Sequence, residues 1–412
     1  MTAGAPARPA AAAGADADAV LAALDPAPVV GVYIHWPFCV TKCPYCDFNS
    51  HVARTGGPEQ WAAAYRRAIA AWRARLPGAR LASVFFGGGT PSLMPVEVVG
   101  AVLDALVAAF PPVDGRVEVT LEANPTSVEA RRFAGYRAAG VNRVSLGIQA
   151  LDDAALRLLG RPHDRAEALA AFAVAARHFA RVNIDLIYAR PGQTPGAWVR
   201  ELEHALGLGA GHMSCYQLTL EPGTRFWSLA RRGRLALPDG EATARMFAFT
   251  RARLADAGLP AYEVSNHARP GEECRHNLVY WRYGAWIGIG PGAHGRLPLV
   301  APGAMLATAA LRDPAAWLRS TFSGDGLALA SLEPLEPATA AREALLMGLR
   351  LAEGVDLARL EARFGLSASQ MLDVARARAL AAEGLVRLAR GRLAVSERGV
   401  ALLDRLLAEI VR

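Results

Sequence analysis

Short apolar runs alternate along this chain with longer stretches in which apolar residues recur every three to four positions. The runs are "VVGVYIHW" (29–36), "LASVFFGG" (81–88), "RVEVTLEA" (116–123), "RVSLGIQ" (143–149), "RVNIDLIY" (181–188) and "MSCYQLTL" (213–220). Their β-branched and aromatic content predicts strands. Between them lie amphipathic segments such as "PEQWAAAYRRAIAAWRARL" and "SVEARRFAGYRAAG". In the second, Ser127 is the predicted N-cap, Glu129 sits in the first turn and Gly140 is the stop. Strand then helix, about six times over, predicts an α/β fold with a parallel sheet and right-handed crossovers. A doubly wound sheet and an open barrel both satisfy that rhythm.

The rhythm changes after residue 225. Residues 262–297, "YEVSNHARPGEECRHNLVYWRYGAWIGIGPGAHGRL", predict extended segments with turns, further strands beside the sheet. A break follows over 298–335. Residues 336–412 read as helices, a hairpin at "GLVRLARGRLAVSERG" and a last helix, which predicts a winged-helix-like domain. Residues 1–28, rich in Ala and Pro, predict disorder. The expected division is therefore 1–28, a core over 29–225, an extension over 226–335 and a C-terminal domain over 336–412.

Composition narrows the class. The chain has 412 residues, 52% of them hydrophobic and 20% charged, which fits a globular protein with a large core. The net charge of +7 is almost all arginine, Lys42 being the one lysine. No block of five like charges supports a nucleic-acid surface. The N-terminus lacks a basic stretch followed by an apolar core, so it is a poor signal peptide. The most apolar helical run, "VVGAVLDALVAAF", breaks at Asp104, and no membrane span is expected. Five cysteines are too few for a disulfide framework. A cytoplasmic setting is expected.

Three of those cysteines, Cys39, Cys43 and Cys46, fall within eight positions after the first predicted strand. The C-terminal ends of later strands carry Gly87-Gly88-Gly89-Thr90, Glu122, Gln149 and Asp185, and that edge is where α/β folds build their sites. A structural zinc site needs four protein ligands, for which His35, His51, Cys215 and Cys274 are candidates. A [4Fe–4S] cube held by three thiolates leaves one iron open to a small molecule. Both readings stand on spacing, which favours the cluster. Lys42 lies where it offsets the thiolate charge.

A Cys-x3-Cys-x2-Cys loop after the first strand of a β/α barrel resembles the radical S-adenosylmethionine family. The segments "YIHWPFC", "FFGGGTPS", "LEANP", "VSLGIQ", "NIDLIYARPGQT", "YQLTLEPGT" and "HNLVYW…GIGPGAH" resemble, in order, the oxygen-independent coproporphyrinogen III oxidases and above all their haem chaperone branch. The likeness covers about residues 30–300 and, more weakly, the C-terminal domain. It implies a partial (β/α)6 barrel in which the open iron binds S-adenosylmethionine, cleaved by a cluster electron to a 5′-deoxyadenosyl radical.

Residue by residue, the resemblance makes Cys39, Cys43 and Cys46 the cluster ligands. Tyr33 and Tyr45 match aromatics beside the cofactor. The Gly88-Gly89-Thr90 turn would meet its ammonium, and Glu122 the ammonium or a ribose hydroxyl. Gln149 and Asp185 match ribose contacts, and Arg161 matches the partner of the cofactor carboxylate. His276 in "HNLVYW" is a candidate axial haem ligand, with Tyr280 and Trp281 packing on the macrocycle. His294 and Cys274 are weaker candidates, and Cys215 reads as core. Ala189 and Arg190 stand where the family has Gly and an uncharged residue.

The function implied is haem binding and delivery to an acceptor protein by a monomer or homodimer, with cluster, S-adenosylmethionine and haem bound and no nucleic acid. The alternative is the oxidase itself. Established oxidases, however, carry a cysteine where this chain has Phe48, and a longer N-terminal arm. A nucleic-acid-modifying enzyme is the weakest of the three.

Overall fold

The computed structural model of the chain describes residues 14–53 and 55–412. Its centre is an 11-stranded sheet. Six parallel strands follow one another in chain order: β1 (Val29–Trp36), β2 (Arg80–Gly88), β3 (Glu118–Ala123), β4 (Arg143–Gln149), β5 (Arg181–Tyr188) and β6 (His212–Gln217). Among these six the order never reverses, so they hold no topological switch point of the kind that marks a doubly wound sheet. The helices between the strands, such as Pro58–Arg75 and Val96–Ala109, bury apolar stripes against it. The barrel is partial, and its edges are extended by later strands.

Those extensions are β7 (Asn266–Ala268), antiparallel to β6, and on the other side β8 (Ala285–Ile289), β9 (His294–Pro298), β10 (Met305–Ala310) and β11 (Leu329–Leu335). β8 pairs in parallel with β1, so the strand that leads into the cysteines has a neighbour on each side. Beyond residue 336, helices surround a small sheet of β12 (Val355–Asp356), β13 (Val386–Ala389) and β14 (Arg392–Val395). The β13–β14 hairpin turns through Arg390 and Gly391, both at positive φ, the twist a tight hairpin requires. This region has its own apolar core, built on Leu345, Leu380 and Leu407.

Three expectations change. Residues 1–13 of the expected disordered segment lie outside the described residues, but Gly14–Ala22 is helical, and Leu21 and Leu24 are buried. Leu24 also bridges to Leu299 beside the sheet, so apolar anchoring overrides the Ala/Pro composition. The "SVEARRFAGYRAAG" segment is two short helices, Ser127–Ala130 and Phe133–Ala138, capped by Thr126 and not by Ser127. The Thr126 side chain accepts from the Glu129 backbone N–H at 3.3 Å. Finally, "HNLVYW" lies in a helix, Arg275–Trp281, and not in an extended segment.

Candidate functional site

The cysteine loop rests on an aromatic pedestal. Trp36 and Phe38, at the end of β1, pack edge to face at 5.2 Å, and Trp61 and Trp317 stack beneath them at 5.7 Å. Tyr65 donates to the His35 carbonyl at 2.7 Å. The loop closes on itself: the Cys39 N–H donates to the His51 carbonyl (3.0 Å), and the His51 N–H to the Pro37 carbonyl (2.7 Å). Asn49 ties it to the segments that follow β8 and β10 by donating to the carbonyls of Pro291 and Arg312, both at 2.9 Å.

All five cysteines are free thiols. Cys39, Cys43 and Cys46 are half-buried at the cavity mouth, whereas Cys215 and Cys274 are buried elsewhere. Thr90 donates to the Cys39 sulfur at 3.3 Å, and Arg161 to the Cys43 sulfur at 3.6 Å. Burial, followed by hydrogen bonds that act in the opposite sense, leaves the Cys39 and Cys46 thiols above their ordinary range. His35 is committed, its Nδ1 to the Tyr33 hydroxyl (3.1 Å) and its Nε2 to the Asn49 carbonyl (2.9 Å). Among the described residues no three His, Cys, Asp or Glu side chains are arranged to share one metal ion.

Glycine shapes the floor. Gly88 has φ +112°, and a Cβ there would lie 2.6 Å from the His35 ring. A Cβ on Gly89 would lie 2.8 Å from the Phe38 carbonyl oxygen. The turn therefore packs against the cysteine loop only without side chains.

Above this floor opens a cavity of about 1350 Å³. Of the residues singled out in the sequence, Tyr45, Gly88, Gly89, Thr90, Glu122, Gln149, Arg161 and Asp185 line it together with the three cysteines. Asp185 accepts from Ser145 Oγ (2.9 Å) and Asn183 Nδ2 (2.7 Å). Arg161 donates to the Gly147 carbonyl (3.0 Å) and to Asn124 Oδ1, while its Nε is buried with no partner. Gln149 stands at φ +68° with Oε1 also buried and unpartnered. Burial, aided by the Asp185 charge, pushes the Glu122 carboxyl up to about 8.

Tyr33 and His276 are placed elsewhere. They line a smaller chamber of about 230 Å³ deeper in the barrel, beside Arg143 and Tyr280. Glu122 and Asp185 border both spaces. His276 is 1% exposed. Its Nδ1 bonds Ser83 Oγ and its Nε2 the Tyr280 hydroxyl, each at 2.8 Å, and burial holds its pKa down to about 3. Both ring nitrogens are thus engaged by neighbouring hydroxyls, in a chamber separate from the large cavity. His294 is exposed on β9 and lines neither space.

Other contributors had no clear mark in the sequence. Asn124 joins Thr90 (3.2 Å) to Arg161; it lay within the "LEANP" segment but was given no role there. Arg350, the short 3-10 helix Val400–Leu402 and the first residues of the last helix, Leu403–Ile410, bring the C-terminal region into the cavity wall. Arg190 does not face the cavity: it is 4% exposed and paired with Glu201, and its NH1 reaches the Gln149 carbonyl at 3.4 Å. Ala189 takes the left-handed backbone, φ +55°, that glycine adopts more readily.

A family model for the radical SAM superfamily matches residues 33–205, and one for the HemN C-terminal domain matches residues 335–402. The chain is 39% identical over 378 residues to the heme chaperone HemW of Mycobacterium tuberculosis, covering 91% of this chain and 93% of that one. It is 39% identical to HemW of Escherichia coli over 297 residues, 72% of this chain and 77% of that one. To the mitochondrial radical S-adenosyl methionine domain-containing protein 1 of Bos taurus it is 44% identical over 337 residues, 79% and 74% of the two chains. Among solved structures, coproporphyrinogen III oxidase (HemN) from Escherichia coli superposes with a TM-score of 0.78 at 22% identity, covering 95% of this chain and 92% of that one.

Proposed function

Because the chain belongs to the radical S-adenosylmethionine superfamily, and within it to the family of the heme chaperone HemW, we propose that it binds haem and passes it to an acceptor protein. The observation that carries this reading is the convergence of three thiols and five strand ends on one cavity. The residues fit the cofactors the family implies. Three free thiols on one loop at the cavity mouth suit a cube, which gives each thiolate its own iron. Two buried polar atoms without partners, Gln149 Oε1 and Arg161 Nε, suit a polar ligand in the same cavity.

Cys39, Cys43 and Cys46 would hold a [4Fe–4S] cluster whose open iron takes S-adenosylmethionine. When bound, that pair supplies one-electron chemistry. The chain's own part is to bind and orient. Arg161 has a donor to spare for the cofactor carboxylate, Gln149 and Asp185 offer acceptors to ribose hydroxyls, and the Gly88–Gly89 backbone admits close approach. Tyr45 lies at the cysteine loop. Arg161→Lys keeps the charge but loses the planar fork. It should weaken S-adenosylmethionine binding by about 1–3 kcal/mol in calorimetric titration.

Glu122 has a pH signature. Its carboxyl is raised, so the folded state keeps a proton that the unfolded chain gives up. Its contribution to stability is full below the ordinary carboxylate range and is lost as pH rises towards about 8. The cofactor-free protein should therefore lose thermal stability over that window, and Glu122→Gln should flatten the slope. Equal slopes in both proteins would exclude the assignment.

Phe48 favours the chaperone over the oxidase, for it occupies the oxidases' extra cysteine position and is 58% exposed at the cavity rim. The test is anaerobic. Cluster-loaded protein given haem should bind about one per chain and release it to apo-haem proteins. Given reductant, S-adenosylmethionine and coproporphyrinogen III, it should yield no protoporphyrinogen IX by mass spectrometry. Two decarboxylations per porphyrinogen at multiple turnovers would overturn the reading. We place the protein in a reducing, cytoplasmic compartment, which suits five free thiols. Among the described residues no helix is long and apolar enough to cross a membrane.

A further inference from the structure

Resting on the S-adenosylmethionine reading of the large cavity, we propose that Arg190, Glu201 and His163 are positioning residues. They brace the strained turn that aims the Gln149 amide at the cofactor. None of the three lines the cavity itself.

The turn closes β4. The Ala150 N–H donates to the Ile148 carbonyl at 2.8 Å, a bond that spans a single residue, and Gln149 between them stands at φ +68°. A turn of this kind is rare, and strained for a residue with a Cβ. Glycine would adopt it freely, so a glutamine here is held against its preference. The strain gives direction. Gln149 lines the cavity with its Oε1 buried and unpartnered. Its Nε2 lies back over Gly147, where a Cβ would come within 3.0 Å of it. The β4–β5 ladder loses register between Leu146 and Gln149, so regular strand pairing does not hold this geometry.

Side chains from other segments supply the hold. The Ile148 carbonyl also lies 3.0 Å from His163 Nε2. Burial, followed by the Arg161 charge, brings His163 down to about 4, so its ring is neutral near pH 7 and donates its one N–H to that carbonyl. Arg190 NH1 reaches the Gln149 carbonyl at 3.4 Å, and Glu201 Oε1 accepts from the Leu151 N–H at 2.7 Å. The ion pair therefore grips the peptide groups on both sides of Ala150. Arg190 NH1 also donates to Glu201 Oε1 at 3.0 Å, its NH2 pairs with Oε2, and Gln193 Nε2 adds a bond to Oε2 at 3.1 Å. Both charged side chains are almost wholly buried. A forked pair out of water is geometrically specific and costly to break, as a brace must be. Arg190 stands where the family has an uncharged residue, so the brace belongs to this chain in particular.

The test is calorimetric titration of S-adenosylmethionine into full-length, cluster-loaded protein, with hydrogen exchange of the 147–152 segment measured before cofactor is added. Arg190→Met with Glu201→Leu, which leaves no buried charge unpaired, should weaken binding about tenfold, the scale of one hydrogen bond to the ligand. It should also speed exchange in that segment while the other parallel strands keep their protection. His163→Phe should act in the same way, and His163→Gln, which keeps a donor, should not. In a Gln149→Ala background neither the double replacement nor His163→Phe should change affinity further, because the amide they position is gone. Equal losses of affinity with and without Gln149 would make the three residues merely structural and overturn the proposal, and so would unchanged affinity in both brace variants. Should the double replacement fail to fold, His163→Phe carries the test, with cluster content as the folding control. No binding of S-adenosylmethionine by wild type would overturn the reading of the cavity itself, and the brace with it.

Discussion

Replacing any one of Cys39, Cys43 or Cys46 by alanine is expected to leave protein that holds no intact cluster after anaerobic reconstitution. Wild type should take up about four irons and four sulfides per chain. The effect should be all or none. A three-thiolate cube has no spare protein ligand, and the other polar groups near the loop are engaged: His35 in two hydrogen bonds, Thr90 and Arg161 on the sulfurs themselves. Cys215→Ala and Cys274→Ala should keep full iron content, since both thiols are buried away from the loop. Burial pushes the Cys274 thiol up to about 11, as suits a packed group and not a thiolate ligand. Iron and sulfide analysis, with visible absorption, reads the result. One equivalent of zinc in protein purified without oxygen would refute the cluster.

Glu201→Gln is expected to cost about 3–5 kcal/mol of stability, because it strips a buried guanidinium of its counter-charge. The side chains of Arg190 and Glu201 are only 5% and 8% exposed. Glu201 also accepts from the Leu151 N–H (2.7 Å) and from Gln193 Nε2 (3.1 Å), so one carboxylate ties together the segments that follow β4 and β5. The thermal midpoint should fall by several degrees or more. Removing both charges, by Arg190→Met with Glu201→Leu, should recover much of the loss, since paired charges leave a core more cheaply than single ones. A double replacement no better than Glu201→Gln alone would show that the hydrogen bonds and not the charge carry the effect.

The six parallel strands were legible because both their faces are buried, which writes them as continuous apolar runs. β1, β4 and β5 begin and end where the pattern put them. The helix at Arg275–Trp281 was not legible. Its β-branched and aromatic residues read as extended, and tertiary contacts such as those of His276 with Ser83 and of Tyr280 with Trp286 override that preference. The cysteines and strand-end polar residues announced the cavity because residues of that kind collect at one edge of such a sheet. Arg350 and Leu402 gave no sign, for they reach the cavity from a region whose own pattern describes only its own core. Tyr33 and His276 were assigned by motif, and motif carries no depth: both line the smaller chamber, which Glu122 and Asp185 share with the large cavity.

The pairing of β1 with β8 has a consequence during synthesis. β1 is made early, yet one of its two neighbours begins at Ala285, roughly 250 residues later, which at about 5–20 residues per second is some 12–50 s of translation. Until then the strand leading into the cysteines is an open edge. The carbonyls of Pro291 and Arg312 that anchor Asn49 have not yet been made. The thiols thus leave the ribosome on an unfinished platform. Any factor that loads iron and sulfide would meet a properly shaped loop only after about three quarters of the chain has emerged, so a cluster, if held there, would be inserted late.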